Sequence, residues 1–476
     1  MKTMFAEEIA AVTGGRLRNE GQAGPVRVSG VSTDTRTLAA GDVFFALPGE
    51  THDAHDHLSE AAEKGCALFV VSDAAKIPAG AGVPAIIVEN TLRAYQDLAA
   101  WYRKEVDPVV AAVTGSVGKT TLKDMIACIC AEVYHTAATE KNYNNQIGVA
   151  KTILSMPENT EVLILEMGME HAGEIERSAE IARPDIAVIT NAGISHRENF
   201  DSDGGILAAK MEVAAFFGPR DVLVINGDQQ DVLAAAEADS AEKGYQLVSV
   251  RQNGEGDEDC EPAAYRVKGA RYNEEGRLTF EIESWDDDVE RFVLPILGAY
   301  GGLSTGLAAA AAARLGIGMS AAARSLRTFE TAPHRMQPIQ GSGVFIIDDT
   351  YNASPDSADS GLDFFETVDA KKKVVVLADM NELGAESETL HRRVGARAAE
   401  SGADLIVAFG EKAREIAAGA LREIPRGAKP EVFHFEEKAE LLRFLLSQKQ
   451  EGDAYYIKGS RSMKMEEVVG ALLGEE

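Results

Sequence analysis

The chain has 476 residues, of which 45% are hydrophobic and 26% are charged. These values are typical of a globular protein with about three domains. The formal charge of −29 argues against nucleic acid or an anionic membrane as a partner, because phosphate contacts need clustered Lys and Arg. An anionic ligand must therefore be bound by local basic groups.

The first predicted elements form a small α/β unit over residues 1–106. Short apolar strands such as "DVFFALPG" and "ALFVVSD" alternate there with helical segments such as "TLRAYQDLAAWYRKEV", a pattern typical of α/β folds. Acidic residues interrupt the apolar start of the chain, which argues against a signal peptide. We place the end of this unit before Asp107-Pro108, since the residue preceding a proline is disfavoured in a helix.

Residues 107–331 carry buried-strand signals at "VVAAVTG", "EVLILEMG", "DIAVITNAG" and "DVLVING", with helical stretches between them. This spacing predicts βα units around a parallel sheet. Between residues 246 and 296 the pieces "QLVSVRQ", "AYRVKGARY", "RLTFEIES" and "ERFVLPIL" are separated by turn residues and acidic runs. We interpret these four pieces as antiparallel ribbons appended to the sheet.

One uncharged stretch within this region, residues 292–313, is long enough to span a bilayer. It contains Pro295, four glycines and a run of alanines, and alanine is only weakly apolar. We interpret the stretch as a strand end and a loop followed by a tightly packed helix. The expected location is therefore the cytoplasm, with no insertion into a membrane.

Residues 332–476 form a third α/β unit, in which "GVFIIDDTY", "KKVVVLADM", "ADLIVAFG" and "DAYYIKGS" are predicted strands. The expected fold class is therefore α/β with three domains. The first is small, the second has a parallel sheet with appended ribbons, and the third is Rossmann-like.

The stretch "TGSVGKTT", residues 114–121, lies between a predicted strand and a predicted helix. Glycines let backbone N–H groups approach a phosphate, and a helix N-terminus adds positive potential. Lys119 would reach the terminal phosphates of a nucleotide, and the Thr120 hydroxyl would be placed for Mg²⁺. The common eight-residue pattern has Gly where this chain has Val113, so the loop is a shorter variant. A turn that binds no nucleotide is the alternative, which the full set of residues disfavours.

Polar residues gather at the carboxyl ends of the predicted strands, where open α/β sheets bind ligands. Glu166 ends one strand and Asn191 ends another, with His196 shortly after it. Asn142, Asn144 and Asn145 lie in the stretch "TEKNYNNQIGV". A carboxylate just past a buried strand is suited to bind magnesium beside the phosphates. Each group alone is also compatible with an ordinary loop residue.

Lys210 lies in "GGILAAKMEVAAFF", which is predicted to be an apolar helix. A lysine on such a helix commonly extends to the surface, and spacing alone does not exclude that structural role.

The third unit offers basic and acidic groups at its own strand ends. Arg335 suits a phosphate, since a guanidinium stays charged and binds bidentately. Asp348 and Asp349 end a strand, where they would bind a ribose hydroxyl or cap the following helix. Lys458 and Arg461 lie at a predicted helix start, which favours an anion such as a substrate carboxylate. An ordinary surface turn is the equally weighted alternative there.

Taken together, these motifs resemble the Mur ligases of bacterial cell-wall synthesis along nearly the whole chain. In the first unit the resemblance lies in the stretch that begins "STDTRTLAAGDVFFALPGE". In the second it lies in "TGSVGKTT", "NYNNQIGV", "EMGMEHAGEI", "RPDIAVITNAGISH" and "AAKMEV". In the third it lies in "DDTYNASPDS", "ADMNELG" and "KGSRSMKMEEVV". The last stretch is the most specific of these matches.

The resemblance implies an ATP-dependent amide ligase of peptidoglycan precursor synthesis that acts through an acyl phosphate. The implied substrates are UDP-N-acetylmuramoyl-tripeptide and D-alanyl-D-alanine, the implied cofactors are ATP and two Mg²⁺ ions, and we expect a monomer. Lys210 corresponds to a lysine that is carbamylated in the family, which converts an ammonium into an anion able to hold metal. Lys119, Lys210 and His196 are the implied catalytic residues.

The other roles implied by the resemblance fall into three sets. ATP would contact Thr114, Gly115, Ser116, Val117, Gly118, Lys119, Thr120, Thr121, Asn145, Asn191, Arg335 and Asp349. Metal would be held by Thr120, Glu166, His196 and Lys210. Substrate would contact Ser32, Thr33, Asp34 and Arg36 through its UDP part, and Asn352, Ser354, Lys458 and Arg461 in the third unit.

Three positions depart from the family pattern. A His-Asn pair is replaced in "GAYGGLSTGLAAAA", a glycine is replaced by Ala54, and an asparagine by Glu170. The alternatives are a Mur-type or folylpolyglutamate-synthetase-like ligase with another acceptor, a P-loop ATPase switch, and a binding module without activity. A ligase should release phosphate only when both an acyl donor and an amine are present, which distinguishes it from the switch.

Overall fold

A computed structural model describes residues 2–18, 25–49, 52–193, 199–200, 202–252, 264–273, 276–298, 300–424 and 429–474. His196, one of the residues singled out above, lies outside this set.

The N-terminal region contains a five-stranded sheet and a two-stranded one. The larger sheet has the order β2-β7-β6-β5-β4, in which only β2 runs antiparallel to its neighbour. Its strands are short runs of apolar residues, and the long helix α3 begins where the Asn90 side chain accepts from the Arg93 N–H at 2.9 Å. The elements are β1 (Met4–Phe5), α1 (Ala6–Thr13), β2 (Arg16–Arg18), β3 (Arg27–Val28), β4 (Gly30–Ser32), β5 (Asp42–Phe45), α2 (Leu58–Glu63), β6 (Leu68–Val71), β7 (Ala85–Ile87) and α3 (Thr91–Val106).

The central region is built on a nine-stranded sheet of order β16-β15-β14-β13-β12-β11-β8-β10-β9. The strands from β9 to β13 along this order are parallel. The four inner strands β8, β10, β11 and β12 are buried along nearly their whole length, as their continuous apolar runs predict. The elements are β8 (Val109–Thr114), α4 (Lys119–Ala131), β9 (Thr136–Ala138), α5 (Gln146–Ser155), β10 (Val162–Glu166), α6 (Glu174–Ala182), β11 (Ile186–Ile189), α7 (Asp203–Met211), β12 (Val222–Asn226), α8 (Gln230–Lys243), β13 (Gln246–Arg251), β14 (Tyr265–Tyr272), β15 (Leu278–Ser284), β16 (Val289–Leu294), α9 (Tyr300–Arg314) and α10 (Met319–Ser325).

The prediction of four antiparallel pieces is wrong for the first of them. Strand β13 runs parallel to β12 and also pairs in parallel with the start of β14. The reason is that helix α8 connects β12 to β13, and such a crossover returns the chain in the same direction. Strands β14, β15 and β16 are antiparallel, as predicted.

The C-terminal region has a six-stranded sheet of order β17-β18-β22-β19-β20-β21, parallel except for the edge strand β17. Helices cover both faces and bury two separate apolar clusters. The elements are β17 (Gln337–Gly341), β18 (Val344–Asp349), α11 (Pro355–Glu366), β19 (Lys372–Ala378), α12 (Ser387–Glu400), β20 (Leu405–Phe409), α13 (Arg414–Glu423), β21 (Glu431–Phe435), α14 (Lys438–Gln448), β22 (Asp453–Lys458) and α15 (Glu466–Leu473).

The sheets of the three regions lie within residues 4–87, 109–294 and 337–458. We retain 106/107 and 331/332 as the proposed domain limits, because both fall between sheets. The uncharged stretch at residues 292–313 forms the end of β16, a connection and the packed helix α9. Across the described parts of the chain, no helix is both long and apolar enough to cross a membrane.

Candidate active site

The loop between β8 and α4 has the geometry of a phosphate-binding loop. Gly118 adopts a left-handed φ of +83° at the start of α4, a conformation that glycine adopts without strain. The Lys119 ammonium folds back over the loop and donates to the carbonyls of Gly115 and Ser116 at 2.7 and 3.3 Å. Burial lowers the pKa of Lys119. The N-terminus of α4 and the Lys119 ammonium therefore lie at the same loop, as in a site that binds an anion.

Asn191, at the end of β11, fixes the shape of this loop. Its side-chain oxygen accepts from the N–H groups of Ser116 and Val117, both at 2.9 Å, and its amide donates to the Val117 carbonyl at 3.1 Å. Ser116 is also hydrogen-bonded to Gly193 through its hydroxyl. The ends of β8 and β11 are thus joined by hydrogen bonds, and the structure places Asn191 against the loop; its contact with ATP stays a prediction.

Glu166, at the end of β10, is buried beside the loop and accepts two side-chain hydrogen bonds. Thr120 donates to one carboxylate oxygen at 2.9 Å, and the Asn144 amide donates to the other at 2.8 Å. Asn145, the next residue, uses its side-chain oxygen to cap helix α5 through the Gly148 N–H. A carboxylate, a hydroxyl and an amide therefore converge, and hard oxygen donors of this kind suit Mg²⁺.

Lys210, on α7, is buried with only 2% of its surface exposed, so it does not extend to solvent. Its amine makes no hydrogen bond or ion pair with the residues that the structure describes. Burial, and then the charge of Lys119, hold the pKa of Lys210 well below that of an ordinary lysine. Both effects favour the neutral form of the amine over the ammonium.

The C-terminal region faces the loop with both basic and acidic groups. The Arg335 guanidinium lies 4.1 Å from the ring centre of Tyr351, and its charge acts to lower the pKa of Lys119. Asp349, at the end of β18, forms a buried ion pair with Lys458 of β22 and also accepts from the Tyr456 hydroxyl at 3.2 Å. These groups therefore belong to the same electrostatic environment as the loop.

Two details of the C-terminal prediction are revised. Helix α11 is capped by Ser354 rather than by an aspartate. Lys458 ends β22, and Arg461 lies in a short 3₁₀ turn, so α15 begins only at Glu466. Met465, directly before α15, is fully buried in an apolar cluster of this region.

A cavity of about 810 Å³ lies between the central and the C-terminal regions and is lined by residues of both. The predicted residues that line it are Ser116, Val117, Gly118, Lys119, Thr120, Thr121, Asn142, Asn144, Asn145, Glu166, Asn191, Arg335, Asp349, Asn352, Ser354, Lys458 and Arg461. A volume of this size lies within the range of small-molecule and cofactor sites.

Other predicted residues lie elsewhere. Thr114 is buried in the strand that leads to the loop, where Gly115 also supplies a carbonyl to Lys119. The residues assigned to UDP lie in the N-terminal region, outside the cavity lining: Ser32 ends strand β4, and Thr33, Asp34 and Arg36 follow it. There Arg36 donates to both oxygens of Asp34 and lowers the pKa of that carboxyl to about 2.

Sequence reasoning missed several residues that line the cavity. Asn226 ends β12, and Glu382 follows β19, so both lie at carboxyl ends of strands. That is the same signal that pointed to Glu166 and would have found them. Tyr300, at the start of α9, also lines the cavity within the stretch that departs from the family pattern. No local signal marked it.

A phosphate loop and a buried carboxylate, faced by a second α/β unit across a cavity, define a P-loop nucleotide-binding protein. The sequence matches three family models: "Mur ligase family, catalytic domain" over residues 27–103, "Mur ligase middle domain" over 113–313, and "Mur ligase, glutamate ligase domain" over 334–461. The chain belongs to the Mur ligase family, and it is an ATP-dependent enzyme that forms amide bonds.

Individual relatives align along almost their entire length. The UDP-N-acetylmuramoyl-tripeptide–D-alanyl-D-alanine ligase of Bacillus subtilis is 36% identical over 475 residues, covering 98% of each chain. The ligase of the same name from Escherichia coli is 32% identical and covers 96% of each. Among solved structures, MurF from Acinetobacter baumannii superposes with a TM-score of 0.87 at 28% identity and covers 100% of each chain. The three-domain α/β fold predicted from the sequence is thereby confirmed.

Proposed function

We propose that this chain joins D-alanyl-D-alanine to UDP-N-acetylmuramoyl-tripeptide, consuming ATP and giving a UDP-muramoyl-pentapeptide. Two relatives that align over nearly the full chain bear the name of this ligase. The observation that supports the proposal most strongly is the cavity shared by the phosphate loop and the C-terminal strand ends. One ligand on each side of that cavity would place a phosphate beside a peptide carboxylate.

The reaction proceeds in two balanced steps. A carboxylate oxygen of the peptide attacks the γ-phosphorus of ATP, and the bond to the β-phosphate oxygen breaks to release ADP. The amine of the dipeptide then attacks the acyl carbon, phosphate leaves with the C–O electron pair, and the amine nitrogen loses a proton. Positioning and charge neutralisation dominate such transfers. An enclosed cavity also keeps water from the acyl phosphate.

The phosphate loop would hold ATP through its backbone N–H groups and Lys119. Lys119 already lies over the loop carbonyls, at 2.7 Å from that of Gly115, so a small rotation of its side chain would bring the ammonium to the terminal phosphates. Asn191 keeps two loop amides in a fixed orientation. Such prearranged donors stabilise developing negative charge without reorganisation during the reaction.

The residues around Glu166 fit a magnesium ion. Thr120 and Glu166 would hold one ion, with Asn144 orienting the carboxylate. When bound, Mg²⁺ neutralises charge on the transferring phosphoryl group. His196 and Lys210 are proposed for a second ion, His196 on the basis of the family resemblance alone.

Lys210 fits the second role only after modification. A neutral amine attacks the carbon of CO₂ and loses a proton, giving a carbamate with two oxygen donors. The low pKa and the burial of Lys210 favour this reaction, because an ammonium has no free electron pair. We therefore propose that Lys210 is carbamylated in the active enzyme.

The remaining proposals concern the substrates. Arg335 and Asp349 would contact ATP, while Asn352, Ser354, Lys458 and Arg461 would contact the peptide substrates. Ser32, Thr33, Asp34 and Arg36 would bind the UDP moiety. We further propose a cytoplasmic enzyme that acts as a monomer.

The test is a product analysis by mass spectrometry with UDP-N-acetylmuramoyl-tripeptide, ATP and a panel of acceptors. The panel contains D-alanyl-D-alanine, L-alanyl-L-alanine and single amino acids. We expect a product that carries both D-alanine residues, formed with D-alanyl-D-alanine and far slower with the other acceptors. A single amino acid as the preferred acceptor would refute the assignment, as would turnover of ATP that needs no acceptor.

A further inference from the structure

Lys123 is a buried lysine on the helix that follows the phosphate loop. It lies one turn after Lys119 on α4, yet only 5% of its surface is exposed. Its ammonium donates to the Thr139 carbonyl at 2.8 Å and forms an ion pair with Asp124. Removing an ammonium from water costs several kcal/mol, and an aliphatic side chain would fill the same space. The position therefore calls for an explanation beyond packing.

The partner of Lys123 is itself bonded to the end of β10. Thr139 is 1% exposed, and its N–H donates to the carbonyl of Ile164 at 2.9 Å. The Thr139 hydroxyl accepts from the N–H of Glu166 at 3.0 Å. Thr139 thus binds the strand on both sides of Leu165 and sets the backbone position of Glu166.

These contacts complete a hydrogen-bonded network that includes the two proposed metal ligands, Thr120 and Glu166. Helix α4 carries both Thr120, which donates directly to the Glu166 carboxylate, and Lys123, which reaches the Glu166 backbone through Thr139. Helix α4 therefore acts on Glu166 in two ways: Thr120 binds the Glu166 carboxylate, and Lys123 acts on the Glu166 main chain through Thr139. Groups that orient metal ligands in this way typically change metal affinity by 10- to 100-fold when they are removed.

We propose that Lys123 is a positioning residue for the metal site: through Thr139 it fixes Glu166 relative to Thr120. The inference rests on the proposed metal role of Glu166. Loss of Lys123 would leave the Thr139 carbonyl without its ammonium donor, and the end of β10 would then shift relative to α4. Binding of the nucleotide itself depends on the loop amides and the Lys119 ammonium, whereas the Lys123 ammonium bonds to Asp124 and the Thr139 carbonyl.

The experiment compares ADP affinity by calorimetry in EDTA and in Mg²⁺ for the wild type, Lys123→Met and Lys243→Met. Lys243 is a matched control, because it also donates to a carbonyl, that of Ala214, and pairs with an aspartate on its own helix. We expect Lys123→Met to keep its affinity in EDTA within about twofold and to lose roughly tenfold or more of the gain produced by Mg²⁺. Lys243→Met should keep that gain in full.

Thr139→Val provides a second variant, since valine has nearly the same shape and removes only the hydroxyl that binds Glu166. It should reproduce the selective loss of the Mg²⁺ effect, so the inference stays testable even where Lys123→Met folds poorly. An unchanged Mg²⁺ effect in either variant, or an equal loss of ADP affinity with and without Mg²⁺, would overturn the positioning role of Lys123. Either result would leave the proposed metal role of Glu166 in place. A wild-type protein whose ADP affinity ignores Mg²⁺ would overturn both the inference and the metal role of Glu166.

Discussion

Gly193, after β11 of the central region, lies directly against Asp356 in the first turn of α11. A Cβ at residue 193 would lie 2.2 Å from the Asp356 carboxylate oxygen and 3.5 Å from the Cβ of Ser116. The C-terminal region therefore approaches the phosphate loop so closely that a side chain at residue 193 would require the Asp356 carboxylate to shift. Arg393, on α12, donates to the same carboxylate at 3.2 Å, which opposes such a shift.

Gly193→Ala should hinder this approach and lower kcat by roughly 10- to 100-fold, since small displacements of reacting groups have effects of that order. ADP affinity should change little, because the loop amides and Lys119 remain in place. The control is Gly218→Ala, where an added Cβ would meet nothing within 4 Å. Steady-state kinetics that show equal kcat for both variants would contradict the importance of this close approach for the reaction.

Glu166→Gln should raise the Mg²⁺ concentration needed for half-maximal activity by at least about tenfold. The glutamine keeps the shape of the side chain but has one neutral oxygen, which is a poorer ligand for a hard cation. The measurement is a magnesium titration of ATP turnover. Glu132→Gln, at the exposed end of α4, serves as the control and should show the wild-type requirement.

Much of the candidate site can be predicted from local sequence, but the contact of the C-terminal region with the phosphate loop cannot. The phosphate loop and Glu166 are marked by residues that adjoin a buried strand, and the periodicity of the chain predicts that strand. Asp356 is also visible in the sequence, but only the tertiary fold brings it to Gly193. The burial of Lys123 depends on the position of Thr139 after β9. The sequence pattern of α4 alone therefore does not predict that burial. The parallel direction of β13 follows from the helix α8 that precedes it, whereas the prediction of an antiparallel piece depended on the turn residues and acidic runs that separate the pieces between residues 246 and 296.

Lys210 should give a carbamate signal in ¹³C NMR after equilibration with labelled bicarbonate, and Lys210→Ala should not. The pKa of Lys210 is depressed, so its amine is neutral at a pH where an ordinary lysine, with a pKa of 10.5, is protonated. As the pH falls through that lowered pKa, the amine becomes an ammonium and the signal should disappear. Lys210→Ala should also lose ligation and regain part of it with small carboxylic acids. Full activity in that variant without such acids would rule out the carbamate.

Lys458→Met should destabilise the protein by about 3–5 kcal/mol, because it leaves the Asp349 carboxylate buried without its cation. The comparison is Lys429→Met, which breaks an ion pair with Asp404 in which the lysine is 75% exposed. Urea unfolding should show a clearly smaller effect for that control. Similar losses of unfolding free energy in both variants would contradict the expectation that the buried Asp349–Lys458 pair matters more for stability than the exposed Asp404–Lys429 pair.

The most direct test of the account follows oxygen from the peptide to phosphate. UDP-N-acetylmuramoyl-tripeptide labelled with ¹⁸O in its terminal carboxylate is converted with ATP and D-alanyl-D-alanine, and the released phosphate is analysed by mass spectrometry. We predict one ¹⁸O atom in each phosphate formed from a fully labelled carboxylate, since the carboxylate oxygen that attacks the γ-phosphorus departs with it. Phosphate without label, or phosphate whose new oxygen comes from water, would contradict the proposed transfer.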